Sequence, residues 1–155
     1  MDFPSPNLWR WIIDTKQKSV AETQLDDRAA EFPRVADRLI GQEYRYGYMM
    51  SQSGSQESAS LSSALLKYDN VKGSRTQIEL GTGRTAGEPV FVPSYKNTQE
   101  DDGYLMTYVY DAHSDQSQFV IFDAASMDST PIASIDLPRV PDGFHGSWIP
   151  RSVAH

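Results

Sequence analysis

Residues 84–123 read RTAGEPVFVPSYKNTQEDDGYLMTYVYDAHSDQSQFVIFD, and this stretch decides the class of the fold. Val90-Phe91-Val92 is a short apolar run behind Gly87-Glu88-Pro89. Tyr104 to Tyr110 is dense in aromatic and β-branched residues, and a third run follows at Gln118 to Phe122. A polar loop at Pro93–Asp102 and a turn rich in Asp, Ser and Gln separate them. Period-two runs divided by such clusters predict an antiparallel meander. Glu88 is the odd residue. A carboxylate set between Gly and Pro at the lip of a buried strand needs a partner to offset its desolvation. The candidate partner is His145, far along the chain in Gly143-Phe144-His145-Gly146.

The pattern repeats on both sides. Leu8–Asp14, a Thr15–Lys18 turn and Ser19–Leu25 predict a hairpin. In Asp26–Arg38 the residue before Pro33, Phe32, is biased away from helix, so this piece is expected to run extended. Tyr44-Arg45-Tyr46-Gly47-Tyr48 alternates, which places three tyrosines on one face of a strand. Ser51–Ser63 is Ser/Gln/Gly-rich and predicts a mobile polar loop. Leu65–Asp69 and Ser74–Leu80 form a second hairpin, Ile132–Leu137 a further strand, Pro138–Asp142 an irregular approach, and Ser147–Ile149 a last strand. The class is all-β, one domain over residues 1–155. Periodicity alone leaves a sandwich and propeller blades both open.

Bulk composition excludes several functions. The 155 residues are 39% hydrophobic and 23% charged, enough for one core. A net charge of −7 removes the basic surface a nucleic-acid binder needs. No apolar run approaches a spanning helix, and the first residues lack a signal-peptide pattern. Without cysteines there is neither a disulfide framework nor a thiolate metal site, and the expected compartment is the cytoplasm.

Few residues offer chemistry. His145, between Phe144 and Gly146, suits a ligand whose ring must approach something closely, and equally a hydrogen-bonded buried side chain. Glu31 and Glu88 each precede a Pro-containing segment. Each suits the carboxylate that orients a metal-bound imidazole, or a cap on backbone N–H groups. His113 reads as a solvated turn residue and His155 as a frayed terminus. Glu100-Asp101-Asp102-Gly103 lacks the ligand spacing of a calcium loop and reads as a solvated turn. The tyrosine-rich runs read as inter-strand packing.

Five motifs in order resemble the C-terminal part of the carotenoid cleavage oxygenases, the family that includes apocarotenoid and lignostilbene dioxygenases and the retinal-pigment-epithelium isomerase. They are Leu25-Asp26-Asp27 leading to Glu31-Phe32-Pro33, the Tyr44–Tyr48 run, Gly87–Pro93, Glu100–Gly103, and Gly143–Gly146. The resemblance covers about Leu8 to Pro150. It implies part of a seven-bladed β-propeller with a non-haem Fe(II) held by four histidines from different blades. By motif His145 is one of these, while Glu31 and Glu88 match outer-shell glutamates that hydrogen-bond iron-bound histidines. The implied reaction is O₂-dependent cleavage of a conjugated C=C bond in a lipophilic polyene or stilbene, giving two carbonyl products.

The chain has three histidines, and only His145 falls on a ligand motif. The resemblance therefore implies a fragment whose other ligands come from elsewhere, inactive when isolated. Uncovered sheet edges predict self-association; the resemblance to enzymes of lipophilic substrates leaves peripheral membrane contact of the full enzyme open, since no amphipathic stretch appears in the chain. The rival expectation is a β-rich interaction module without chemistry.

Overall fold

The computed structural model describes residues 6–53, 61–96, 98–141 and 145–151. Strands β1 (Trp9–Asp14) and β2 (Ser19–Gln24) pair as the expected antiparallel hairpin. Next come β3 (Glu31–Arg34), a single 3-10 turn at Asp37–Leu39, β4 (Tyr46–Ser53), β5 (Ser62–Asp69) and β6 (Ser74–Thr82). These four strands form one antiparallel sheet in chain order. Then follow β7 (Arg84–Ala86), β8 (Val90–Pro93), β9 (Gly103–Asp111), β10 (Gln116–Asp123) and β11 (Ala133–Leu137). In this second sheet β11, β10 and β9 are neighbours, and β7 and β8 share the other edge of β9.

The two larger sheets pack face to face. Tyr48, Met50, Leu65 and Ile78 from the first meet Phe91, Leu105, Val109, Val120 and Phe122 from the second in one buried cluster. Strand alternation sends Met49, Ala64, Leu66 and Tyr68 to the opposite face, where Leu8, Leu25 and Ala30 cover them. The first sheet is therefore buried on both sides, which explains the near-continuous apolar run of β5. Each buried Leu, Ile or Met contributes about 1.5–3 kcal/mol by removal from water. The β1–β2 hairpin is the exception. Trp9, Trp11, Ile13 and Val20 share one face by register, and all are exposed.

Three differences from the sequence reading have clear causes. The strand expected at Ser147–Ile149 is extended chain without a ladder. Just ahead of it, the Gly146 N–H donates to Glu88 and its carbonyl accepts from Arg34, so the segment is anchored at its head by side chains and not by a neighbouring strand. The loop expected at Ser51–Ser63 is narrower, because the β4–β5 ladder continues to the Ser53–Ser62 pair. Ladder bonds and burial of Ser51 and Ser63 override weak strand propensity there; residues 54–60 lie outside the described set. Tyr44 stands before the strand, because a carboxylate intervenes. Glu100 accepts the backbone N–H groups of Arg45 and Tyr46 at 2.7–3.0 Å.

That contact overturns the solvated reading of Glu100–Gly103. Asp101 accepts from Lys67 Nζ at 2.6 Å, and Asp102 takes the backbone N–H and hydroxyl of Thr98. At Gly103 a Cβ would lie 2.4 Å from the Val92 carbonyl oxygen. Glu100 and Asp101 thus join the two sheets, while Asp102 and Gly103 fix the approach to β9 within its own sheet.

At the β5–β6 turn, Arg45 donates to Asp69 at 2.7–3.1 Å and the N–H groups of Val71 and Lys72 add two bonds. The Arg45 bonds, with help from these N–H groups and against burial, hold Asp69 well below the usual carboxylate range. A depressed folded-state value stabilises the chain above the ordinary carboxylate pKa and loses effect as pH falls below about 4. Asp69→Asn is expected to flatten the fall of Tm between about pH 5 and 2. Thermal melts across that window check it, and an unchanged slope would remove Asp69 from the acid response.

Candidate functional site

The segment Glu31-Phe32-Pro33-Arg34 carries a bulge. Glu31 pairs with Met50 and Arg34 with Tyr48, so four residues of β3 span three of β4. The slip brings Arg34 into phase with Glu31, although three positions separate them. Phe32 absorbs the distortion with φ +55°, a left-handed value unusual for a bulky residue. Its ring meets the His145 imidazole edge-on, with centroids 5.5 Å apart and an interplanar angle of 86°. Strain of this kind persists where surrounding contacts over-determine the backbone.

Glu88 sits across from the bulge, its side chain 4% exposed. One oxygen, Oε2, accepts the Gly146 N–H at 2.9 Å and Arg34 Nη1 at 3.1 Å; the other, Oε1, faces His145 Nδ1 at 3.3 Å. Desolvating a carboxylate costs several kcal/mol, and these donors offset it. Burial works against the Arg34 charge, but hydrogen bonds to Asp37 and Glu88 outweigh it and hold the guanidinium above its ordinary pKa.

The carboxylate acts here as acceptor, so the contact with His145 requires a proton on Nδ1, which the neutral ring carries in its Nδ1–H tautomer. That assignment turns Nε2 toward whatever the ring binds. The His145 side chain is 67% exposed, at the mouth of a cleft of about 570 Å³. Glu31, Glu88, Phe32, Met50, Val90 and Trp148 are among the residues around it. The two glutamates and the histidine, 114 positions apart at their extremes, therefore share one cleft. Glu31 makes no side-chain hydrogen bond among the described residues, whereas Glu88 has three partners, Arg34, His145 and the Gly146 N–H.

Glu88 and the backbone next to His145 are joined by a residue that the sequence reading passed over. Arg34 binds Glu88, the Gly146 carbonyl at 2.9 Å and Asp37 at 3.2 Å. The available signal was an arginine directly after the Phe32-Pro33 step, a position that means nothing until the bulge is known. His113 lies in an exposed turn, as expected, with its ring against Gly83. His155 falls outside the described residues.

As a metal site the donor set is one-sided. Among the described residues no group of three or more His, Cys, Asp or Glu side chains is placed to hold an ion. One imidazole backed by a carboxylate fits a single arm of an imidazole-rich centre, and selective binding needs more such arms.

Residues 2–150 match the family described as retinal pigment epithelial membrane protein. The chain belongs to the carotenoid oxygenase family. A carotenoid cleavage oxygenase of Mycobacterium tuberculosis is 41% identical over 151 residues, 95% of this chain and 30% of that protein. The apocarotenoid-15,15'-oxygenase of Synechocystis is 37% identical over 142 residues, 91% of this chain and 29% of its own length. A variant of the Synechocystis apocarotenoid oxygenase superposes with TM-score 0.85 at 37% identity, over 93% of this chain and 30% of that one. The cobalt-substituted form of that enzyme superposes with TM-score 0.84, so this relative holds a metal. The chain spans about 30% of the length of these relatives. Its two packed antiparallel sheets are a partial piece of the carotenoid oxygenase β-propeller, which decides between the sandwich and the propeller.

Proposed function

We propose that this chain supplies the histidine end of a non-haem Fe(II) dioxygenase that cleaves a conjugated C=C bond of a carotenoid or apocarotenoid, giving two carbonyl products. The observation that supports it is the Glu88–His145 couple at the mouth of a cleft lined by both apolar and polar side chains. His145 would bind iron through Nε2, and Glu88 would orient the ring and raise its basicity through Nδ1. Glu31, unengaged on the same cleft, is suited to accept from a histidine supplied by further polypeptide. Iron, when bound, would contribute O₂ activation at open coordination positions. The chain's own apolar side chains would seat a polyene and exclude water; Phe32, Val90 and Trp148 are among them.

A stilbene substrate is the second reading, since lignostilbene-alpha,beta-dioxygenase isozyme III of Sphingomonas paucimobilis is 31% identical over 159 residues. The expected setting is the cytoplasm, with peripheral membrane contact of the full-length enzyme left open by this reading. Self-association of the isolated chain through its uncovered sheet edges accompanies this reading.

The test is oxygen uptake and product analysis with an apocarotenal, a stilbene and added Fe(II). Residues 1–155 alone are expected to show no turnover, and the longest reading frame that contains them is expected to bind iron and cleave one substrate class. A longer protein that neither binds iron nor consumes oxygen would leave the β-rich interaction module as the surviving reading. Within an active enzyme, Glu88→Gln is expected to lower metal affinity about 10–100-fold. Metal titration checks this, and an unaffected variant would make Glu88 a backbone cap.

A further inference from the structure

We infer that Arg34 is a positioning residue for the histidine end of the site, its guanidinium clamping Glu88 and the Gly146 carbonyl so that one carboxylate oxygen stays turned to His145 Nδ1. The inference rests on the proposed role of His145, and it adds a residue that the metal chemistry alone does not require.

The geometry divides the Glu88 carboxylate into two halves. Oε2 lies 3.1 Å from Arg34 Nη1 and 2.9 Å from the Gly146 N–H, which leaves Oε1 for the imidazole at 3.3 Å. The same Nη1 donates at 2.9 Å to the carbonyl of Gly146, the residue directly after His145. One nitrogen therefore ties the carboxylate and the backbone that carries the ring. On the far side of the fork, Nη2 donates to Asp37 Oδ1 at 3.2 Å, which fixes the plane of the guanidinium.

Near His145 the backbone has no strand ladder of its own. Residues 145–151 lie outside every strand, so the hydrogen bonds of Gly146 to Glu88 and Arg34 do the anchoring that neighbouring strands would do elsewhere. The β3 bulge supplies this anchor and the packing together, with Phe32 against the ring edge and Arg34 behind the carboxylate. A lysine at position 34 keeps the charge but has no planar fork to reach three acceptors on two sides.

The readout is the ring of His145 in the metal-free full chain, labelled with nitrogen-15, with its signals identified by their loss in His145→Gln. The native chain is expected to show one tautomer, protonated at Nδ1. Arg34→Gln is expected to mix the two tautomers, and Arg34→Lys to recover the native ratio in part. Asp37→Asn, at a half-exposed carboxylate, frees only the outer arm and is expected to shift the ratio the same way by a smaller amount. It carries the test if Arg34→Gln does not fold. Native tautomer ratios in Arg34→Gln, or in Asp37→Asn where Arg34→Gln is unfolded, would overturn the inference. In a longer protein that binds metal, Arg34→Gln is further expected to lower metal affinity about 10–100-fold. Failure of that protein to bind any metal would count against the iron reading and leave the tautomer result to decide Arg34 by itself.

Discussion

Replacing His145 by alanine in a metal-loaded enzyme is expected to abolish iron binding and reduce oxygen uptake to background. His145 is the ligand in the proposed reading, and a carboxylate oxygen of Glu88 lies 3.3 Å from its Nδ1. A centre built from neutral imidazoles loses geometry as well as affinity when one is removed, because the others were arranged around it. The fold should survive. The ring is 67% exposed, and Glu88 keeps its bonds from Arg34 and Gly146, so the expected stability loss is about 1 kcal/mol. Iron analysis and far-ultraviolet circular dichroism on the same sample separate the two effects. A folded variant that still carries a full complement of iron would move the metal elsewhere and leave Glu88–His145 as ordinary packing.

Asp101→Asn carries the second large effect, this time on stability. Lys67 on β5 is 5% exposed, and its ammonium donates to Asp101 at 2.6 Å and to the carbonyls of Ala124 and Ala125 at 2.8 and 3.2 Å. It also lies 4.4 Å from the centre of the Tyr46 ring. One cation thus holds the first sheet, the approach to β9 and the end of β10. Neutralising Asp101 leaves that ammonium buried without its counter-charge, for an expected loss of about 3–5 kcal/mol. Most domains have only about 5–15 kcal/mol in total, so the variant should sit near its unfolding threshold. Removing both charges, as in Lys67→Met with Asp101→Asn, is expected to restore much of the loss, because no unpaired charge remains. Urea denaturation of the singles and the double variant measures the coupling. A cost below about 1 kcal/mol for Asp101→Asn would show that the two carbonyls and the ring suffice.

Glu100–Gly103 shows why a motif can be visible while its meaning is not. Three acidic residues before a glycine look like a wet turn, because acidic residues are rarely buried unless paired. Their partners are the N–H groups of Arg45 and Tyr46, Lys67 and Thr98, from 4 to 55 positions away in the chain. No local signal announces them. Glu88 was legible for the opposite reason. Its setting between Gly87 and Pro89, before Val90-Phe91-Val92, called for a distant donor, and His145 is among the groups the fold brings to it. Arg34 escaped notice because its direction depends on a register slip, and a slip is a property of two strands together.

From residue order alone came the all-β class, the hairpin boundaries, the family motifs and the three residues Glu31, Glu88 and His145. Strand periodicity and turn chemistry are local, so they survive in a linear reading. Tertiary structure decided which glutamate meets the histidine and that Arg34 holds the pair. It also decided that Ser147–Ile149 forms no strand. Each of these depends on hydrogen-bond partners more than 50 positions apart, and a donor's choice among distant acceptors is made only when sheets pack.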